Sequence, residues 1–187
     1  MDVGSSFENP VTGERFVMRA TAASTGGQYC EFDLHLAPGA KVAAPHRHPG
    51  QLETFSLLSG VLEMAVAGHR RRVEAGEDVA VPIGVPHTWG NTSEEPAHAL
   101  VRLTPSYLVD EYFAALCRVA SSGRANRLGL PRNPLQFAVV FDRHRDEVAL
   151  ASPLAQSLAS PAVRALAVLG RAAGFRPDGS RSRSDRD

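Results

Sequence analysis

The chain is short of several things that would each have pointed to a function class. Of its 20 basic residues only Lys41 is a lysine, and 20 acidic residues balance them to a formal net charge of zero. Such a balance gives no electrostatic footprint for nucleic acid, so no nucleic-acid partner is expected. Cysteine is scarce as well: Cys30 and Cys117 are the only two, and no CxxC spacing exists. That excludes a zinc knuckle and a dithiol redox motif, and two free thiols fit a reducing, cytoplasmic setting. The first ten residues have neither a basic nor an apolar stretch, so no signal peptide is expected. Long apolar runs are missing too. The most apolar stretch follows Val148, and Pro153, Pro161, Arg164 and Arg171 interrupt it, so no transmembrane segment is expected.

What is present changes character near Thr104. Before it, short alternating or β-branched runs are separated by turn residues, which predicts strands over 16–21, 30–36, 42–48, 53–59, 61–67, 70–73, 78–81, 87–91 and 97–103. The 30–36 run alternates without a fault: Cys30, Phe32, Leu34 and Leu36 share one face and Glu31, Asp33 and His35 the other. Ser59-Gly60, Ala67-Gly68, Ala75-Gly76 and Ile83-Gly84 supply turns. Many short strands at close spacing predict a sandwich or barrel.

After Thr104 the period lengthens. Thr104-Pro105, Asn133-Pro134 and Ser160-Pro161 each read as an N-cap followed by proline at the first helical position. The first helix would carry Leu108, Tyr112, Leu116 and Val119 on one stripe, and the second Phe137, Val140, Phe141, His144 and Val148. These stripes need a surface to cover, either the outside of the barrel or a second subunit. The sequence thus predicts a mainly β domain over 1–105, an α-helical extension over 106–175, and a disordered polar tail over 176–187.

The chemistry concentrates in two segments. His46 and His48 are two residues apart, so on a strand both point to one face and can share a metal. Glu53 follows the Pro49-Gly50 turn and can return on the neighbouring strand, with Gln51 in the loop between and its role open. In the second segment Pro82, Gly84 and Pro86 make a rigid turn that delivers His87 to another strand. Three neutral imidazoles and one carboxylate suit a borderline first-row divalent ion. A lone histidine is ordinarily a surface or satisfied core group. Four donors buried together without a metal would be costly. His35, His69, His98 and His144 are expected to lie outside the site.

These segments resemble the paired motifs of the cupin family. His46, His48, Glu53 and Gly60 match the first, and Gly76, Pro82, Gly84, His87 and Asn91 match the second at every position. The only departure is a six-residue rather than five-residue gap between Gly39 and His46. The 15 residues between the motifs, 61–75, leave room for a compact hairpin and no inserted domain. The resemblance covers roughly residues 16–105 and implies a jelly-roll-like β-barrel holding one divalent metal ion (Fe, Mn, Ni, Co or Zn) through His46, His48, Glu53 and His87. The three-His, one-Glu set is similar to that of quercetinase-like dioxygenases. It implies a metal-dependent enzyme, dioxygenase-like or isomerase/cyclase-like, acting on a small oxygenated molecule, with Glu53 also able to act as a general base. A non-catalytic ligand-binding or sensing module remains the alternative. By parity with Glu53 and His87, Phe55 and Trp89 are candidate substrate-binding walls, with ordinary barrel core as the competing reading. The family resemblance also implies a homodimer.

Overall fold

A computed structural model describes residues 1–41 and 45–182. In chain order the strands are β1 (Ser6–Asn9), β2 (Glu14–Ala20), β3 (Cys30–Leu36), β4 (His46–Arg47), β5 (Leu52–Ser59), β6 (Val61–Val66), β7 (His69–Glu74), β8 (Asp78–Val81), β9 (His87–Gly90) and β10 (Ala97–Thr104). Helix α1 (Val109–Ser121), helix α2 (Pro134–Arg143), strand β11 (Ala149–Leu150) and helix α3 (Pro153–Ala172) follow.

The strands form two antiparallel sheets ordered β1-β2-β3-β10-β5-β8 and β11-β4-β9-β6-β7. Chain neighbours are spread across both sheets, which is the double-layer jelly-roll arrangement. The period-two pattern sets the inner face. Cys30, Phe32, Leu34 and Leu36 of β3 lie beside Leu103, Val101, Ala99 and Ala97 of β10, and all are buried. Each such large side chain contributes about 1.5–3 kcal/mol by leaving water. Gly60 shows why the β5–β6 turn needs glycine. Its φ is +79°, and a Cβ there would meet the Pro96 carbonyl oxygen at 2.6 Å.

The strand from 42 onward is shorter among the described residues than the sequence predicts, since β4 covers only His46–Arg47, and 42–44 lie outside the described residues. Two strands, β1 and β11, have no clear alternation and were not predicted. β1 is held by its pairing with β2 and β11 by its pairing with β4.

The helical region departs from expectation at two of its three starts. Thr104 does not cap a helix: it is the last residue of β10, paired with Leu52, so its backbone is committed to the sheet. α1 begins at Val109 after Leu108, with no side-chain cap of its own. Instead the Glu147 carboxylate accepts from the Leu108 amide at 3.1 Å. α2 starts as predicted, with Asn133 accepting from the Leu135 and Gln136 amides. α3 starts earlier than Ser160-Pro161. The same device occurs at Ser152-Pro153, and the helix runs on through Pro161. It tolerates that proline because its following turns pack on α2: Ala167 is fully buried with Ala138, Val139 and Phe175. Gly170 permits this approach, since a Cβ there would meet Val139 at 2.6 Å.

The α1 helix lies against the barrel. Phe113 stacks on Phe16 with ring centroids 4.9 Å apart and meets Phe32 edge-on at 5.3 Å. The tail expected to be disordered from residue 176 has a defined place over 176–182. Asp178 pairs with Arg118, and the Gly179 carbonyl accepts from Arg124, so the turn is fastened to α1 and to the loop after it. Residues 183–187 lie outside the described residues.

Candidate metal centre

The metal candidates meet where β4, β5 and β9 converge. His46 of β4 pairs directly with His87 of β9, and their ring centroids are 4.3 Å apart. His48 follows two residues on, 5.2 Å from the His46 ring and 5.3 Å from that of His87. One ligand nitrogen from each of the three lies within 4.8 Å of the others, the scale of a single ion's coordination sphere. Glu53, near the start of β5, brings Oε2 to 2.8 Å from His87 Nε2 and 3.5 Å from His48 Nε2. His48, Glu53 and His87 are all buried, at 3%, 3% and 1% exposure.

Backbone carbonyls fix how the rings face. His48 Nδ1 lies 2.5 Å from the Glu147 carbonyl oxygen, and His87 Nδ1 lies 3.2 Å from that of Val85. A ring that donates from Nδ1 presents its Nε2 lone pair to the site, the outer arrangement that orients metal-binding imidazoles. The turn ahead of His87 is itself tied to the first segment, with the Gly84 amide donating to the His48 carbonyl at 2.8 Å.

Among the described residues the inward atoms have no hydrogen-bond partner outside this cluster. His48 Nε2, His87 Nε2 and Glu53 Oε2 are buried against one another. Orphaned buried donors and acceptors are costly. Here they point at one another, and three nitrogens with one carboxylate oxygen fit a first-row divalent ion. The charges are consistent. Burial pushes the Glu53 carboxyl up, but the charge and hydrogen bond of His48, together with His87, hold it well below the usual carboxylate range. Burial pushes His48 down, but Glu53 and the Glu147 carbonyl raise it above the ordinary histidine value. A metal ion would replace the proton these groups otherwise share.

A cavity of about 260 Å³ opens from His46 and Glu53 into the molecule. Phe55 and Trp89 both line it, their ring centroids 6.4 Å apart. Further walls come from the extension: Tyr112, Phe113, Phe137 and Phe141. The helical stripes thus cover the barrel mouth and enclose the space beside the metal residues. Of the two surfaces expected for those stripes, the barrel is the one that α1 covers. Sequence reasoning missed the Glu147 carbonyl altogether, and no sequence signal marks a backbone oxygen brought in across 99 residues. β11 reinforces the same connection, pairing Ala149 with Arg47 and Leu150 with His46.

The other candidates lie elsewhere. Gln51 does not reach the site, because its amide nitrogen donates to the Pro105 and Ser106 carbonyls at 2.8 and 3.0 Å. Asn91 is structural: its side chain donates to the Glu95 carbonyl and accepts from the Ser93 amide, closing the loop after β9. His35 and His98 stack on each other at 4.3 Å, with His98 2.9 Å from Asp33. His144 is buried beside Tyr112. Among the described residues no helix is long and apolar enough to cross a membrane.

A family model matches part of the barrel region. Residues 32–102 match the cupin domain family model (Cupin_2). Among solved structures, a sugar phosphate isomerase of the cupin superfamily from Silicibacter pomeroyi is 26% identical over 51% of this chain and 62% of its own, with a TM-score of 0.45. A predicted oxalate decarboxylase from Thermotoga maritima is 19% identical over 49% of this chain and 80% of its own, with a TM-score of 0.47. The chain therefore spans less than two thirds of the isomerase it resembles. No curated protein sequence matches. The two-sheet architecture and the paired motifs agree with the family match, which places a cupin domain at residues 32–102.

Proposed function

We propose that the protein is a metal-dependent cupin enzyme that binds one divalent ion through His46, His48, His87 and Glu53 and acts on a small oxygenated molecule. The observation that carries this reading is that His46, His48 and His87 bring ligand nitrogens within 4.8 Å of one another, with the Glu53 carboxylate against them and His46 and Glu53 opening on an aromatic-lined cavity.

When bound, the ion supplies Lewis acidity and a template for oxygen ligands. The protein's own residues do the rest. The Glu147 and Val85 carbonyls hold the His48 and His87 rings in register. Glu53, kept ionised by its histidine neighbours, serves as a ligand and is the group placed to take a proton from a substrate hydroxyl. Phe55 and Trp89 flank the substrate and keep water out. A dioxygenase-like or isomerase/cyclase-like reaction fits four protein ligands, which leave positions open for substrate. The two buried free thiols fit a cytoplasmic protein, and a homodimer is the assembly we expect.

The test is to strip the protein and reload it separately with Fe, Mn, Ni, Co and Zn. Each form is then assayed for oxygen uptake and product formation on flavonols, diketones and catechols. Turnover with one or more metals, lost in His87→Ala, is expected. Tight ligand binding with the ligand recovered unchanged from every metal form would overturn the enzymatic reading in favour of a binding module. Light scattering showing only monomer at high concentration would exclude the dimer.

A further inference from the structure

His48 is the candidate ligand that the sheets do not hold. His46, Glu53 and His87 lie within β4, β5 and β9, and strand pairing aims each of them. β4 ends at Arg47 and β5 begins at Leu52, so His48 opens the turn between them. Strand parity therefore does not set its ring. The Glu147 carbonyl meets that ring at Nδ1. The turn itself is held from another side, by the junction between β10 and α1.

Two contacts make that hold. Gln51 is 1% exposed, and a buried amide is costly unless its hydrogens are used. Its Nε2 donates to the Pro105 and Ser106 carbonyls at 2.8 and 3.0 Å, where the chain has just left the sheet. Tyr107 lies against the preceding turn residue: a Cβ at Gly50 would meet the phenol oxygen at 2.8 Å and Cε2 at 3.1 Å. Tyr107 keeps this place in a left-handed backbone conformation, φ +43°, which bulky residues rarely adopt. Its side chain is 42% exposed, so core burial does not account for the strained backbone. Both of its neighbours are anchored. The Ser106 amide donates to the Gly27 carbonyl at 3.2 Å, and the Leu108 amide to the Glu147 carboxylate at 3.1 Å. Glu147 is also the residue whose carbonyl meets His48, so junction, turn and ring form one closed loop of contacts.

We propose that residues 105–108 form a clasp that sets His48 relative to Glu53, with Gln51 and Tyr107 as its positioning residues. Both act through the 48–51 turn. The effect on the ion rests on the metal-dependent reading, whereas the hold on the turn stands on the contacts alone.

The probe is Co(II), whose visible spectrum reports the geometry of its ligands. Affinity is read by competition with a chelator. Gln51→Met, which keeps the bulk and loses the donor, and Tyr107→Gly should each weaken binding about tenfold and alter the spectrum. Tyr107→Phe keeps the ring over Gly50 and should match wild type. Glycine adopts the left-handed conformation without strain, so metal-free Tyr107→Gly should unfold at or near the wild-type midpoint. A merely structural role would move that midpoint and leave the spectrum of the folded protein unchanged. Wild-type affinity and spectrum in either Gln51→Met or Tyr107→Gly, or an equal loss in Tyr107→Phe, would overturn the clasp. The metal reading fails separately, by wild-type protein that takes up no Co(II). The clasp is then judged on metal-free protein by hydrogen exchange of the Gly84 amide, which donates to the His48 carbonyl. Faster exchange there in both variants, with central β10 still protected, would uphold the clasp, and wild-type exchange would overturn it.

Discussion

In the barrel, site side chains are aimed by strand parity. Glu53, Phe55 and Leu57 of β5 alternate inward, as do His87 and Trp89 of β9, and all are buried. From the helical extension it is backbone that meets the candidate ligands. The Glu147 backbone carbonyl holds the His48 ring, β11 pairs beside His46, and the rings of α1 and α2 roof the cavity. The barrel thus decides which donor atoms meet, and the extension decides how they are held and how enclosed the space beside them is.

The largest effect should come from the barrel side. His48→Ala or His87→Ala is expected to lower metal affinity by more than about 100-fold, beyond what loss of an outer hydrogen-bond partner costs, as read by metal titration with a competing chelator. Retention of stoichiometric metal in either variant would mean that the ion sits elsewhere. At the seam between the regions, Phe32 packs on Phe16 and Phe113. Phe32→Ala should cost about 3–5 kcal/mol in denaturant unfolding, because it empties a site walled by both.

Deep in the extension, Gly170→Ala should cost about 1–3 kcal/mol, since the new methyl would meet Val139 at 2.6 Å and the Leu135 carbonyl oxygen at 2.8 Å. Metal content should stay unchanged. A parallel loss of metal would show that the helical layer and the site are one cooperative unit, and the contrast drawn above would fail.

Glu14 gives a pH test. Its folded value near 7 lies above the ordinary 4.5, so the ionised form is disfavoured in the folded state. The penalty is absent below the ordinary value, grows as pH rises between the two, and is constant above. Glu14→Gln should therefore raise stability relative to wild type by about 1–2 kcal/mol near pH 8, with the gain fading toward pH 5. The smallest change belongs to the outer face of α3, where Leu158 is 74% exposed. Leu158→Ser should shift stability by no more than about 0.5 kcal/mol in thermal unfolding.

The barrel was legible because its signals are local. Period-two alternation located β3 to the residue, and the spacing of His46, His48, Glu53 and His87 needed only strand geometry and one rigid turn. Parity also placed Phe55 and Trp89 on the inward face, and both line the cavity. The helices were legible as apolar stripes, yet two of three starts were misplaced. Thr104 was claimed by its pairing with Leu52, and Ser152-Pro153 offers the same cap as Ser160-Pro161 with nothing local to choose between them.

By itself the sequence singled out the four candidate ligands, the inward faces and the change from strands to helices near Thr104. All three follow from the repeat of a strand or helix and from residue chemistry. Only the tertiary structure decided that the Glu147 carbonyl steadies His48, that Gln51 serves the 105–106 backbone, and that Glu14 shares a cavity with the metal residues. Each depends on where distant backbone comes to rest, and packing, unlike local spacing, leaves no periodic mark in the chain.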